Sequence, residues 1–313
     1  MPELEGGALR IPAVPVTTVE VTDAAAARAR VVSAAWHSLT SFLRRKPLGA
    51  IGAVVLLIFV AVAVLAPVLA THDPDLNNHR ARIKSPSAQH WFGTDNFGRD
   101  IYSRVVYGAR ISMSVGILAT LLGTLVGALA GLCSGFFGGR VDQTVQRIAD
   151  VMFTIPPLVL AMAIVTMLGP SMVNVTIAIA IPRMPNTNRV IRSAVLGVKE
   201  SLFVEASRAV GSTSWHIMWR HLLPNITAPY IVVATASLGG AILVEASLSF
   251  LGLGVPPPVP SWGRMLSLEG MRYFETAPWM AFAPGVFISA AVFGANLFGD
   301  ALRDVLDPKL RGQ

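Results

Sequence analysis

Side chains that could do chemistry are sparse in this sequence. One segment holds residue types that bind divalent metal ions, namely His72, Asp73, Asp75 and His79. Their spacing matches no fixed pattern of metal ligands, so we interpret the segment as a solvated loop and predict no metal site. The sequence also lacks the motifs of a phosphate-binding loop (GxxxxGKS/T), a serine hydrolase (GxSxG) and a zinc protease (HExxH). We therefore predict no catalytic residue and no cofactor bound by this chain.

Two polar residues, Glu245 and Asn296, lie in apolar stretches. An ionisable group within a membrane span is a candidate contact for a substrate or a partner chain. It can also extend to the membrane surface or bond a neighbouring helix, and we favour this structural role for Glu245. For Asn296 we favour an interhelical hydrogen bond over a contact with substrate. The single cysteine, Cys133, lies in an apolar glycine-rich run and is predicted to be a buried, inert thiol.

A charged insert between apolar segments, VEASRAVGSTSWHIMWRHLLPN at residues 204–225, has the pattern of two short helices. The first helix is indicated by the spacing of Leu202, Ala206, Ala209 and Val210. Gly211 is expected to end it, and Ser212 or Ser214 is expected to cap the second. Pro224 is expected to end the second helix.

Apolar residues in the second helix form one predicted stripe at positions i, i+3, i+4 and i+7: Trp215, Met218, Trp219 and Leu222. His216, Arg220 and His221 are predicted to point elsewhere. The stripe could pack on the helix ends of the same chain or lie in lipid headgroups. It could also dock in a groove of a partner. Periodicity alone favours the first two interpretations.

These residues must be positioned by membrane helices, because the composition is that of a bilayer protein. Of the 313 residues, 53% are hydrophobic and only 14% are charged. Soluble domains are about one quarter charged. The net charge of +7 fits basic cytoplasmic loops, so we predict no binding of nucleic acid. The fold class is therefore an all-α membrane protein.

Six segments are apolar enough to be predicted as membrane spans. They are residues 47–70, 111–134, 148–168, 172–183, 227–251 and 277–298. Arg44, Arg45 and Lys46 place the N-terminus in the cytoplasm, and six crossings return the C-terminus there. A cleaved signal peptide is the alternative for the first segment, but its apolar core is long and begins far from the N-terminus. Glycines along the second span predict close helix packing: Gly108, Gly116, Gly123, Gly127 and Gly131.

The distribution of charge supports this topology, because the segment between spans four and five is strongly basic. The outer segment, residues 71–110, also carries basic residues, but four aspartates offset most of them. The predicted parts are a cytoplasmic tail (1–46), a first span with its outer loop (47–110), a core of membrane helices (111–302) and a C-terminal cytoplasmic tail (303–313). Within the core, residues 200–225 form the cytoplasmic loop.

This loop resembles the EAA loop of permease subunits in ATP-binding-cassette (ABC) importers. The resemblance rests on Glu205-Ala206, on Gly211 six residues after the glutamate, and on RHLLPN at residues 220–225. A second EAS, which begins at Glu245, has neither the glycine nor the Leu-Pro, so the short motif alone is not informative. The resemblance implies a coupling helix that sits in a cleft of a cytoplasmic ATPase. The implied contact residues are Glu205, Ala206, Gly211, Trp215, Met218, His221, Leu222 and Pro224.

Four further blocks are similar to the C-type permease of dipeptide, oligopeptide and nickel importers. They are HWFGTDNFGRDIYSRVVYGARISMSVG, GGRVDQTVQRIADVMFTIPPLVLAM, EASLSFLGLG and NLFGDALRDVLDPKLR. The family implies a type I (MetI-like) fold with six spans in a bacterial cell membrane. One departure is IPRMPNTNRVIR, where relatives carry Trp and then Tyr-Ala-Arg; Pro182 and Pro185 leave the course of the fourth helix open.

The resemblance also implies partners and a substrate class. The partners are a second homologous permease, two ATPase subunits that bind ATP and Mg²⁺, and an extracytoplasmic binding protein. The implied substrate is a peptide, with nickel or glutathione as alternatives within the same importer type. From other classes, an ion-coupled secondary carrier would need intramembrane titratable groups and inverted repeats, of which we find one marginal glutamate and no repeat. A membrane scaffold without a transport role is the third alternative.

Overall fold

A computed structural model of the chain describes residues 46–306, apart from the side chains of residues 268 and 269. The two predicted cytoplasmic tails therefore lie largely outside the described residues. Within the described range the regular structure is helical, and the only extended pairing is an isolated bridge between Thr94 and Asp100. The predicted all-α class is confirmed.

Twelve α-helices follow one another in the described part of the chain. They are α1 (Pro47–Leu69), α2 (Ile101–Phe137), α3 (Gly139–Phe153), α4 (Pro157–Leu168), α5 (Met172–Ala180), α6 (Met184–Lys199), α7 (Leu202–Ala209), α8 (Ser214–Ile217), α9 (Leu223–Phe250), α10 (Trp262–Leu266), α11 (Leu268–Arg272) and α12 (Trp279–Leu306). We call the end of the bundle that carries residues 200–225 the loop end, and the end that carries residues 71–100 the opposite end.

Four helical segments are long and apolar enough to cross a membrane: Pro47–Leu69, Ile101–Phe137, Ser214–Phe250 and Trp279–Leu306. The predicted third span is not one helix, because α3 and α4 meet at an angle of 93°. Pro156 and Pro157 cause this break, since proline lacks a backbone N–H and disfavours helical geometry at the residue before it. If the bent pair is counted as one span, the described residues contain five candidate spans. The six predicted spans therefore remain a prediction.

The predicted fourth span is short, and its helical course continues past both prolines. Helix α5 ends at Ala180, a 3₁₀ turn follows at Ile181–Arg183, and α6 begins at Met184. Pro182 and Pro185 each lie in the first turn of a new segment. A missing N–H is harmless there, because the first N–H groups of a helix have no partner within the helix.

Helix α2 is the centre of the bundle, and its glycines allow close packing. A methyl group built on Gly123, Gly127 or Gly131 would lie 2.5–2.6 Å from a backbone carbonyl oxygen of α5 or α6. Gly108 lies against Trp262 and Gly116 against Ile242. The predicted close approach is therefore present at all five glycines, as expected for membrane helices that pack through small residues.

Candidate functional site

The first helix of the loop, α7, ends in a Schellman motif centred on Gly211. The N–H of Ser212 donates to the carbonyl of Ser207 at 3.1 Å, and the N–H of Gly211 donates to that of Arg208 at 2.9 Å. Gly211 has a φ of 82°, a conformation that costs other L-residues free energy. A side chain at Gly211 would meet no atom within 4 Å, so backbone conformation is the constraint at this position.

The second helix begins as expected but does not end where the sequence predicted. Its cap is Thr213, whose Oγ1 accepts from the N–H of His216 at 3.3 Å, and not Ser212 or Ser214. The helix runs through a π-helical turn, Met218–Leu222, directly into α9. The prediction that Pro224 ends the helix was wrong, because this proline lies in the first turn of α9 just after the π turn. Proline is tolerated where the regular hydrogen-bond ladder is already shifted.

The predicted single apolar stripe is divided between two surroundings. Met218 and Leu222 are buried in a core cluster with residues of α2 and α6, whereas Trp215 and Trp219 are 66% and 51% exposed. The buried pair anchors the loop to the bundle. The exposed tryptophans contact each other edge to face, with ring centroids 5.3 Å apart.

The loop carries an exposed surface of large apolar side chains, which we call the docking face. Its members are Leu202, Phe203, Val210, Trp215 and Trp219. Glu205 and Ala206 are exposed on the same loop, and within residues 46–306 the Glu205 carboxylate has no hydrogen bond or ion pair. Trp215 and Trp219 also line a shallow cleft of about 390 Å³ with Thr213, His216 and Arg220. An exposed apolar patch of this kind is typical of a surface that binds another protein.

Two other predicted contact residues lie beside the docking face. His221 is half-buried, with its ring 5.9 Å from that of Phe203, and Pro224 is exposed. The carbonyl of His221 accepts from Nδ2 of Asn225 at 2.7 Å, which satisfies an acceptor next to the π turn. The segment from Thr213 to Asn225 is therefore held by local hydrogen bonds as well as by the buried pair.

A lysine ties the start of the loop to the central helix. Nζ of Lys199 donates to the carbonyl of Phe136 at 2.6 Å, at the C-terminal end of α2. A cation is stabilised there by the helix dipole and by the unpaired carbonyls of the last turn. The end of α6 is therefore bonded directly to the end of α2.

Glu245 and Asn296 have different surroundings. Glu245 is fully buried in α9; its Oε1 accepts from Oγ of Ser249 at 2.8 Å, while Oε2 has no partner. Ser112 and Ser261 lie beside the carboxyl group, and Oγ of Ser261 is also without a partner. Glu245 does not extend to the surface, so that part of the structural interpretation was wrong.

Asn296 is exposed on α12, and its side chain lies against Gly239 of α9. It makes no hydrogen bond within the described part of the chain, so the expected interhelical bond is absent. The contact is one of packing between two helices.

Arg183 was counted from sequence only among the basic residues between spans four and five, but it lies beside α9. Its Nη1 donates to the carbonyl of Ile179 at 3.0 Å, and a methyl group on Gly240 would lie 3.4 Å from its Nη2. Gly240 lies ten residues before the end of α9, about 15 Å at the helical rise, within the apolar segment Ser214–Phe250. The signal for it in the sequence is an arginine between two prolines, IPRMP at residues 181–185.

Comparison with known proteins identifies the chain. Residues 105–312 match the family described as the inner membrane component of binding-protein-dependent transport systems. The chain belongs to this permease family. Residues 35–86 of the permease match the N-terminal transmembrane domain of oligopeptide transport permease C. The family implies partners of two kinds, an ATPase and a substrate-binding protein, and a place in a bacterial inner membrane.

The permease is similar to several curated proteins over most of its length. It is 41% identical to the dipeptide transport system permease protein DppC of Alkalihalophilus pseudofirmus, over 88% of this chain and 90% of that protein. It is 41% identical to the probable D,D-dipeptide transport system permease protein DdpC of Escherichia coli, over 88% and 92%. It is 40% identical to the glutathione transport system permease protein GsiD of Escherichia coli, over 88% and 91%.

A solved structure shows the same fold. The permease matches a chain of the MetNI methionine ABC transporter, determined in inward-facing conformations, with a TM-score of 0.53 and 18% sequence identity. The match covers 66% of this chain and 98% of the other. The predicted type I importer fold is confirmed by this likeness.

Proposed function

We propose that this permease forms half of the translocation pathway of an ATP-driven peptide importer and that the docking face receives the ATPase. The observation that carries the proposal is the docking face itself. Exposed tryptophans and an unpaired glutamate lie on a loop whose EAA-type sequence matches that of importer permeases. Such a surface suits a short helix that inserts in a groove of a partner.

The proposed substrate is a peptide. Two similar permeases are named for dipeptides, and a third for glutathione, which is itself a tripeptide. Because one similar permease is named for glutathione, we prefer glutathione to nickel as the alternative substrate. The residues of the present chain do not distinguish between the two, because selection in such systems also depends on the binding protein.

In the proposed mechanism, two ATPase subunits bind ATP and Mg²⁺, and each contacts the loop of one permease subunit on the cytoplasmic side. A second, homologous permease completes the pathway, and both chain termini are cytoplasmic. Closure of the ATPases on ATP would move the docking faces. The pathway changes from inward-open to outward-open only if contacts of different strength form in the two states.

Arg183 is the side chain that we propose for contact with the peptide. A cation beside an apolar span needs water or an anionic group next to it, and a peptide brings a carboxylate. Arg183→Leu is expected to lower peptide uptake more than Arg183→Lys, which keeps the charge. Wild-type uptake by Arg183→Leu would remove Arg183 from the pathway.

Co-purification tests the proposed assembly. The tagged permease is extracted from its own membrane in mild detergent, and every accompanying protein is identified. We expect a second permease and ATPase subunits, with ATPase activity that rises when peptide-loaded binding protein is added. A permease that purifies alone and accumulates peptide in vesicles without ATP would instead support the secondary carrier.

A further inference from the structure

Three metal-binding side chains meet at the opposite end of the bundle, far from the docking face. His72 follows α1, His90 lies in the connecting segment, and Asp100 caps α2. One ligand atom from each residue lies within 4.8 Å of the other two. From sequence, His72 could be grouped only with its neighbours Asp73, Asp75 and His79, and no metal site was predicted there.

The carboxylate at the centre of this group is fixed. Asp100 is 3% exposed, and its Oδ2 accepts from the N–H and the Oγ of Ser103 at 2.8 and 2.7 Å. Its Oδ1 lies 2.9 Å from Nδ1 of His90. The bonds to Ser103 set the orientation of Oδ1, as bonds behind a ligand do in metal centres.

The two imidazoles are also held near the carboxylate. Nδ1 of His72 lies 3.9 Å from Oδ2 of Asp100, and the two histidine rings have centroids 4.8 Å apart. The backbone N–H of His72 donates to Oγ of Ser103 at 3.0 Å. Ser103 therefore positions both Asp100 and His72, which connects the end of α1 to the first turn of α2.

We propose that His72, His90 and Asp100 bind a divalent transition-metal ion such as Zn²⁺. Two imidazoles and one carboxylate are a common ligand set for this ion. Bonds of 2.0–2.1 Å in a tetrahedral site place ligand atoms about 3.3 Å apart, so closure by at most about 1.5 Å is sufficient. His72 is exposed and can supply this movement. The proton between His90 and Asp100 leaves when the metal binds.

His72 is exposed, so solvent can reach the group and water can supply the remaining ligand. The bound ion would connect three segments of the chain that are held together here by hydrogen bonds and by the contact between the two imidazole rings. This would stiffen the segment between α1 and α2. The inference is independent of the transported substrate and of the docking face.

Titration of the purified full-length permease with Zn²⁺ tests the site. Binding is measured by calorimetry in detergent for the wild type, for His72→Ala, and for His79→Ala as a matched control from the same segment. Both histidines are exposed, so neither change is expected to disturb folding.

We expect saturable binding by the wild type and by His79→Ala, and affinity at least about tenfold weaker in His72→Ala, because a ligand is lost. Zn²⁺ should also raise the thermal unfolding temperature of the wild type but not that of His72→Ala. Absence of saturable binding, or equal affinity in His72→Ala, would overturn the proposal.

Discussion

At the scale of single residues, the positive φ of Gly211 gives a test of the proposed coupling loop. Gly211→Val must adopt a φ of 82° at a cost of about 1–2 kcal/mol. We expect ATP-dependent uptake to fall by about tenfold, since about 1.4 kcal/mol corresponds to one order of magnitude in an equilibrium. The amount of permease in the membrane should not change.

Gly197→Val is the matched control, because this glycine also has no atom within 4 Å of a built methyl group but lies within α6 without a positive φ. It should keep its uptake. Gly211→Asn should also retain most of its activity, since asparagine tolerates the left-handed region. Equal loss in the two valine variants would show that the turn at Gly211 is not the cause.

Variants of Glu245 distinguish a structural role of its carboxyl group from a role as a proton carrier. In Glu245→Gln the amide oxygen can accept from Ser249, and its NH₂ can donate to the unpaired Oγ of Ser261. We expect wild-type uptake and thermal stability. Glu245→Ala leaves buried hydroxyl groups without a partner, at a cost of about 1–3 kcal/mol, and should unfold at lower temperature.

Thermal unfolding in detergent and peptide uptake are measured for both Glu245 variants. If Glu245→Gln is fully stable but inactive, the carboxylate has a direct role in transport and the secondary carrier regains support.

At the scale of elements, the two helices of the loop were predictable from the sequence, but the cap and the end of the second helix were not. The sequence indicated α7, the stop at Gly211 and the amphipathic second helix. It could not reveal the π turn at Met218–Leu222, because that turn arises where packing of Met218 and Leu222 against α2 overrides the local pattern. The same limit applies to Pro224, which reads as a stop signal and yet lies within a continuous helical course.

The exposed tryptophans give a prediction for this element. Trp215→Ala with Trp219→Ala removes the largest side chains of the docking face but leaves the buried Met218 and Leu222 in place. We expect loss of the co-purifying ATPase and of at least about 90% of uptake, since central aromatic residues carry most of the binding energy of an interface.

The control for the tryptophan variant replaces Leu57 and Val64 by alanine. These side chains are equally exposed but lie on α1, within the apolar span. They should have no effect on ATPase recovery. An ATPase that remains bound to the tryptophan variant would show that it docks elsewhere.

At the scale of the whole molecule, hydropathy and motif order predicted the helical membrane class and the permease family. Two features escaped prediction. The break between α3 and α4 depends on two adjacent prolines whose effect on direction cannot be read from hydropathy. His72, His90 and Asp100 come together because the long connection between α1 and α2 folds back on itself. No regular spacing of residues in the sequence indicates such a contact.

The most direct test of the coupling account is photo-crosslinking from the docking face. A photoreactive phenylalanine analogue replaces Trp219 in one permease and Leu76, an equally accessible residue near the opposite end, in another. After irradiation in native membranes, the account predicts a crosslink from position 219 to an ATPase subunit and none from position 76. A crosslink to the ATPase from position 76 alone, or none from 219 in an actively transporting complex, would contradict it.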